Sequence, residues 1–271
     1  MARRFDWAEY RYREYAQITE RTIAILPTAA IEQHGPHLPV GVDAMIMEGM
    51  LETLRAQVRS MDDAPDIRIL PVQSVGKSNE HLWAAGTLTL SAETAMRAWG
   101  EIGASVARAG VRRIVLVNSH GGNLDLVSIL ARELRVRHGM LAVKTQWMAH
   151  GTPDDLPGGA VTDDERRFGI HGGDVETSLM LHFRPDLVDM EVAPNARSTA
   201  QDGGLQPTGL PSYGWIATDL SEHGTVGDAT RATAERGAAI AAHQCEGFVE
   251  LLQEVEAFDL SRLGESGSSG A

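Results

Sequence analysis

Residues able to bind a metal ion are concentrated in one short stretch, residues 27–43. It contains two carboxylates, Glu32 and Asp43, and two imidazoles, His34 and His37. Residues two apart on an extended segment project to the same side, so Glu32 and His34 can face one point. Carboxylate oxygens combined with imidazole nitrogens suit zinc, manganese or iron(II) better than calcium, which prefers shells made only of oxygen. The stretch therefore predicts a site for one of these metals.

The chain between these residues is stiffened by two pairs that contain proline, at positions 35–36 and 38–39. Proline disfavours helix and central strand, which leaves a fixed loop that can return Asp43 toward the same place. Asp43 has a second interpretation, because it precedes the helical pattern of residues 44–60 and could be the N-cap of that helix. His37 is interpreted as a partner that orients a ligand rather than as a ligand itself.

A second group of polar residues follows the clearest buried strand, residues 113–117, and leads into a helix over residues 124–138. His120 therefore lies at the carboxyl end of a strand, where ligands bind in open α/β sheets, and we expect it to converge with the first stretch. Gly121 and Gly122 could direct backbone amides at an anion near the helix start, or could simply form a tight turn.

Ser119, next to His120, raises the question of a serine hydrolase. The chain lacks the Gly-x-Ser-x-Gly elbow around this serine, and adjacent residues on a strand project to opposite sides. We therefore reject a nucleophilic serine and predict that Ser119, with Gly121 and Gly122, belongs to the substrate-binding surface.

A third group begins at His171. A helix starting near Gly172 would place His171 at its entrance and Glu176 inward, in phase with the apolar residues that follow. A carboxylate among apolar neighbours needs a cation or a donor, so we predict that Glu176 is a metal ligand. Residues 151–169 before it are acidic, contain Gly and Pro and show no periodicity, which favours a lid.

Two further polar residues, Glu80 and His81, follow the predicted strand over residues 67–72. Loops at strand ends carry function disproportionately, so this pair is a candidate for the rim of the site. A solvated pair is the other interpretation.

Strands rich in apolar residues alternate with helices along the chain, which predicts a three-layer α/β/α sandwich on a mostly parallel sheet. We expect one domain over residues 1–260 and a flexible Gly/Ser-rich tail over residues 261–271. An amphipathic helix is predicted over residues 4–17, and a long closing helix over residues 229–256.

Composition excludes several classes of protein. The net charge is -13, from 24 Lys and Arg against 37 Asp and Glu, which opposes nucleic acid and anionic membrane surfaces. No apolar run is long enough to span a bilayer, and the single cysteine, Cys245, has no partner for an internal disulfide. These features predict a cytoplasmic protein that binds neither nucleic acid nor membrane.

Three ordered motifs resemble those of the creatininase family, the creatinine amidohydrolases, with similar spacing over roughly residues 20 to 190. They are Glu-Gln-His-Gly-Pro-His-Leu-Pro-Val-Gly-Val-Asp ending at Asp43, Asn-Ser-His-Gly-Gly-Asn around His120, and His-Gly-Gly-Asp-Val-Glu-Thr-Ser from His171. The resemblance implies the same α/β/α fold, a homo-oligomer that is commonly a hexamer, and a small-molecule substrate.

The resemblance also implies a binuclear metal site with two divalent ions, zinc first and manganese or iron(II) as alternatives. The family positions that match Glu32, His34, Asp43 and His120 are ligands, and the aspartate bridges. The family histidine that matches His171 transfers the proton. Two metals at such spacing activate water and polarise a carbonyl, so the implied reaction is hydrolysis of a C–N amide bond.

Two positions depart from creatininase itself. A metal-binding glutamate lies two residues after the histidine that matches His120, where this chain has Gly122, and Glu176 is the predicted replacement. A tryptophan that closes over creatinine lies four residues before the histidine that matches His171, where this chain has Arg167. Trp147 matches another tryptophan that covers the substrate. Trp147 and Arg167 are therefore predicted to bind a substrate other than creatinine, and Arg167 would suit an anionic group on it.

The favoured hypothesis is a metal-dependent amidohydrolase acting on a small cyclic amide or a formamide. The alternatives are a peptide-bond hydrolase, like the family members that mature mycofactocin, and a non-catalytic oligomeric scaffold stabilised by metal.

Overall fold

A computed structural model describes residues 3–265. Four parallel strands form the central sheet in the order β2-β1-β3-β4. Their bounds are Ile23–Thr28 for β1, Ile67–Ile69 for β2, Arg113–Asn118 for β3 and Leu141–Gln146 for β4. Every residue of β1 and β3 is buried, as expected for continuous apolar strands covered on both faces.

Residues 3–265 contain seven α-helices. They are α1 Val42–Ser60, α2 Ala92–Arg108, α3 Leu124–His138, α4 Asp163–Phe168, α5 Asp174–Phe183, α6 Ala217–Leu220 and α7 Ala234–Ala257. Apolar side chains of α1, α5 and α7 pack on one face of the sheet, against Ile25 and Val115. Those of α2 and α3 pack on the other face, against Leu26 and Leu116. The alternation of side chains along β1 and β3 supplies both cores, and the predicted three-layer sandwich is confirmed.

The strand order determines which edge of the sheet carries the site. Because β1 connects to β2 on one side while β3 lies on its other side, the connections diverge between β1 and β3, where α/β sheets bind ligands. Thr28 at the end of β1 pairs with Asn118 at the end of β3. The polar segments that follow these strands, which carry Glu32 and His120, therefore leave the sheet side by side.

Several local expectations are revised. Residues 4–17 form two short 3-10 helices, Trp7–Glu9 and Tyr12–Gln17, in place of one amphipathic helix. The stretch predicted as a lid contains the helix α4, and a small antiparallel pair, β5 Asn195–Ala196 with β6 Gly227–Asp228, lies apart from the central sheet.

The closing helix begins at Ala234 rather than at 229. Of the predicted tail, residues 266–271 lie outside the described residues. Among residues 3–265, no helix is both long and apolar enough to cross a membrane.

Candidate metal centre

Three buried histidines share one hydrogen-bonding pattern: each donates from one ring nitrogen to a backbone carbonyl. The donors are Nδ1 of His34, Nε2 of His120 and Nε2 of His171, and their acceptors are the carbonyl oxygens of Glu32, Lys77 and Gln33, at 3.0, 2.9 and 2.6 Å. A carbonyl oxygen can only accept, so these bonds fix which ring nitrogen carries hydrogen. The opposite nitrogen of each ring is left to face the carboxylates, as in metal-binding histidines.

A first set of ligand atoms surrounds the second ring nitrogen of His120. Its Nδ1 lies 3.3 Å from Oε1 of Glu32 and 3.5 Å from Oδ2 of Asp43. All three side chains are nearly inaccessible to solvent, and their ligand atoms are close enough to share one ion.

A second set surrounds the free nitrogen of His34. Its Nε2 lies 3.7 Å from Oδ1 of Asp43 and 3.9 Å from Oε2 of Glu176. These three residues also form a group able to hold a metal ion. Asp43 belongs to both sets and offers a different oxygen to each, which is the arrangement of a bridging carboxylate. The buried clusters are consistent with a binuclear metal site.

Unpartnered buried atoms test whether the residues fit metal ions. Among the described residues, Oε2 of Glu32, Nε2 of His34 and Oδ2 of Asp43 are buried without a hydrogen-bond partner. Such groups cost free energy unless a donor or a cation satisfies them, and a divalent cation suits all three. The residues therefore fit the implied metals.

The other interpretation of Asp43, as a helix N-cap, does not match the structure. Helix α1 begins at Val42 with Gly41 as its N-cap residue, so Asp43 lies inside the first turn. The hydroxyl of Ser119 donates to the Asp43 carbonyl at 2.9 Å. Ser119 thus fastens the first turn of α1 to the end of β3, behind the carboxylate.

The electrostatics of the cluster indicate a deficit of positive charge. Burial and the neighbouring Glu32 carboxylate raise the pKa of Asp43 well above its ordinary value. Burial would lower the pKa of His120, but Glu32 and Asp43 raise it to about 10. Burial lowers the pKa of His34 and of His171 to about 4, so neither ring carries a charge at neutral pH. Cations between the carboxylates would relieve their mutual repulsion.

The third motif reaches the cluster through the start of α5. Oε2 of Glu176 accepts a hydrogen bond from the Gly172 amide at 2.6 Å, which turns this carboxylate back toward the helix entrance. Nδ1 of His171 faces Oε1 of Glu32 at 3.6 Å. His37 lies behind, with its Nε2 2.9 Å from the hydroxyl of Thr177 on the same helix.

Three further residues belong to the centre, although the sequence placed two of them only near it and missed the third. His81 Nε2 lies 3.3 Å from Oε1 of Glu32, and its ring stacks 4.4 Å from that of His171. Glu80 Oε1 lies 3.6 Å from Nε2 of His120. Gln33 Nε2 lies 3.0 Å from Nδ1 of His81. The available signal was that residues 78–81 follow β2, the neighbour of β1 in a parallel sheet.

The predicted substrate-binding residues are not all at the cluster. The ring of Trp147 is 2% exposed and packs 4.7 Å from the Phe248 ring in the core, so covering a substrate would require it to move. Arg167 is exposed and lies over its neighbour Phe168, outside the cluster. Gly121 is exposed beside the site, whereas Gly122 faces it. Substrate contact through any of these residues remains a prediction.

Comparisons with known proteins show the family of this chain. Residues 7–252 match the Creatininase family, described as creatinine amidohydrolase. A mycofactocin precursor peptide peptidase of Mycobacterium tuberculosis is 34% identical over 219 residues, which cover 79% of this chain and 77% of the relative. A creatinine amidohydrolase of Pseudomonas putida is 27% identical over 267 residues, 92% of this chain and 94% of the relative.

A crystal structure of creatinine amidohydrolase has the same fold, with a TM-score of 0.72 at 24% identity over 94% of this chain and 98% of that one. The family match spans most of the chain and includes all the residues of the cluster. This chain therefore belongs to the creatininase family and is a creatininase-like, metal-dependent hydrolase of C–N bonds.

Proposed function

We propose that this protein is a peptidase that hydrolyses a peptide bond of a short peptide at a pair of divalent metal ions. The observation that carries the proposal is the 34% identity to the mycobacterial peptide peptidase, against 27% to the creatinine amidohydrolase. This replaces the small cyclic amide or formamide favoured by the sequence motifs with the peptide-bond alternative.

The structure supports the proposal at two positions. By the resemblance, the tryptophans that cover creatinine in creatininase itself match Trp147, which lies in the core here, and Arg167, which is exposed. Without two aromatic rings over the cluster, a flat ring substrate has fewer stacking partners than in creatininase.

The ligand atoms form two sets, one for each ion. Glu32, Asp43 and His120 would hold one ion, and His34, Asp43 and Glu176 the other. Zinc is the first choice for these nitrogen and oxygen donors, with manganese or iron(II) as alternatives. Bound there, the ions would supply an activated water and polarise the scissile carbonyl.

His171 would move the proton. Its Nε2 hydrogen is held by the Gln33 carbonyl at 2.6 Å, which leaves Nδ1 toward Glu32 as the nitrogen able to exchange a proton. A ring that is neutral at neutral pH can first accept a proton and then deliver it to the leaving nitrogen, which is a poor leaving group unless protonated.

A substrate panel tests the proposal. Purified protein loaded with zinc or manganese would be incubated with short peptides, creatinine, lactams, hydantoins and formamides, and the products identified by mass spectrometry. We expect cleavage of peptides that disappears with a chelator and in an Asp43→Ala variant. Hydrolysis of creatinine or another ring amide more efficiently than any peptide would overturn the assignment to peptides.

We also propose a homo-oligomer, commonly a hexamer in this family. Light scattering coupled to size-exclusion chromatography would measure the mass, and a monomer at micromolar concentration would contradict this. If a chelator removed both the metal and the assembly while the metal-loaded protein hydrolysed nothing in the panel, the scaffold interpretation would be favoured instead.

A further inference from the structure

A buried carboxylate, that of Glu165, lies outside the metal centre on the segment that the sequence pattern predicted to be a lid. Glu165 of α4 is 6% exposed, and its two oxygens accept hydrogen bonds from two backbone amides. Oε1 accepts from the Asp174 amide at 2.7 Å and Oε2 from the Asp228 amide at 2.8 Å. One side chain therefore joins α4, the first residue of α5 and the strand β6.

The backbone around this carboxylate is fitted to it by three glycines, Gly169, Gly173 and Gly227. At each of them an added Cβ atom would lie closer than 3.0 Å to an atom of the Glu165 carboxyl group. A side chain at any of these positions would therefore displace the carboxylate or the backbone that binds it. The charged group is enclosed by the main chain, and the enclosure depends on residues far apart in sequence.

The two amides lie on the two segments that pair at His171, the residue predicted to transfer the proton. The His171 carbonyl accepts from the Val226 amide at 2.8 Å, and the His171 amide donates to the Val226 carbonyl at 3.4 Å. The two residues whose amides bind Glu165 follow shortly after this pair on each segment. Glu165 thus fastens the backbone that carries His171 to the backbone of β6.

The same start of α5 is held from its other side by a buried ion pair. Arg236 of α7 binds the Asp174 carboxylate with two nitrogens, and both side chains are almost completely buried. Arg236 also donates to the carbonyl oxygens of Pro157 and Gly159, at 2.7 and 2.6 Å. Asp174 is therefore fixed through its amide by Glu165 and through its carboxylate by Arg236.

We infer that Glu165 is a positioning residue for the metal centre. It holds the turn of residues 171–174 so that His171 faces Glu32 and Glu176 faces His34. The Glu165 carboxylate accepts its hydrogen bonds from backbone amides rather than from the ligand side chains, so it acts through the backbone. The inference rests on the roles proposed for His171 and Glu176 and adds a residue outside the cluster to that same site.

Glu165→Gln tests this, because an amide keeps the shape but turns an NH₂ group against one of the two backbone donors. The matched control is Asp164→Asn, which changes an exposed carboxylate on the same helix. We expect amide hydrogen exchange at Asp174 or Asp228 to accelerate at least about tenfold in Glu165→Gln. We also expect affinity for one of the two ions, measured by chelator competition, to fall about 10- to 100-fold, the usual effect of losing support behind a ligand.

On an accepted substrate, kcat should fall at least about tenfold while KM changes less than about threefold, because positioning of the proton donor acts mainly in the transition state. If Glu165→Gln does not fold, Glu165→Asp keeps the charge but withdraws it by one methylene, and the same changes are expected. Faster exchange with metal affinity and kcat both equal to those of the control would overturn the inference, since Glu165 would then be structural only.

Two of these readouts need no substrate. If exchange and metal affinity change as expected while no peptide is cleaved by the wild-type protein, the positioning role stands and the proposed peptidase activity falls. If peptides are cleaved and Glu165→Gln matches the control in every readout, the peptidase activity stands and the positioning role of Glu165 falls.

Discussion

The Glu80 carboxylate occupies the space that a side chain at Gly122 would need. A Cβ atom at Gly122 would lie closer than 3.0 Å to Oε1 of Glu80, to the Lys77 carbonyl and to Nε2 of His120. By the resemblance to creatininase, this position matches a metal-binding glutamate, whereas here the segment of residues 77–80 packs over Gly122. Gly122 therefore leaves no empty space beside His120, because the carboxylate of Glu80, which comes from a different loop, fills it.

The first prediction concerns this close approach. Gly122→Ala should displace His120 or the 77–80 segment and weaken binding of the ion held by His120 about 10- to 100-fold, as when a ligand loses its orienting partner. Gly121→Ala is the matched control, because a Cβ at Gly121 meets nothing within 4 Å. Chelator competition would measure both affinities. Equal affinities in the two variants would show that the close packing of residues 77–80 on Gly122 has no effect on metal binding.

The second prediction concerns the shared aspartate. Asp43 offers Oδ1 to the His34 set and Oδ2 to the His120 set. Asp43→Ala should therefore lose both ions, whereas His34→Ala and His120→Ala should each lose one first. Elemental analysis of the purified variants gives the number of ions per chain. Normal metal content in Asp43→Ala would remove the binuclear assignment.

The third prediction separates proton transfer from metal binding. His171→Ala should keep its metal and lose turnover by about two to four orders of magnitude, the span usual for general acid-base catalysis. Glu176→Ala should lose one ion first, because its Oε2 is a member of the His34 set. Metal content and single-turnover rates would be measured on the same preparations. If His171→Ala loses metal and Glu176→Ala does not, the two roles are reversed.

The fourth prediction concerns stability against pH in the metal-free protein. Burial lowers the pKa of His37 to about 4, below the value near 6.5 expected in the unfolded chain. Between these two values the unfolded state binds more protons, so this contribution is present above pH 6.5 and is lost as the pH falls toward 4. Its size between pH 7.5 and pH 5 is about 2 kcal/mol.

Urea denaturation of the wild-type protein and of His37→Gln, both in chelator, would measure this contribution. The free energy of unfolding of the wild-type protein should fall more steeply over that pH interval than that of His37→Gln. Parallel pH profiles would mean that His37 is not held neutral by the fold.

The sequence by itself determined the alternation of strands and helices and which segments carry metal-binding types of residue, among them Glu32, Asp43 and His120. Apolar runs such as residues 113–117 and the helical pattern from residue 44 are local signals, and local periodicity decides which face of an element is buried. The ligand types in residues 32–43 likewise carry their chemistry wherever the loop lies. Parallel strands then bring the segments after β1 and β3 to one edge of the sheet.

Only the tertiary structure decided what several other side chains contact. Glu80 fills the space at Gly122, Trp147 packs in the core, and Glu165 binds two amides from segments 9 and 63 residues away in the chain. Each of these contacts joins segments that are far apart in the sequence, and no local sequence pattern shows that such segments come together. Residue type shows that a carboxylate is available, but packing alone determines whether it meets a metal, a solvent molecule or a backbone amide.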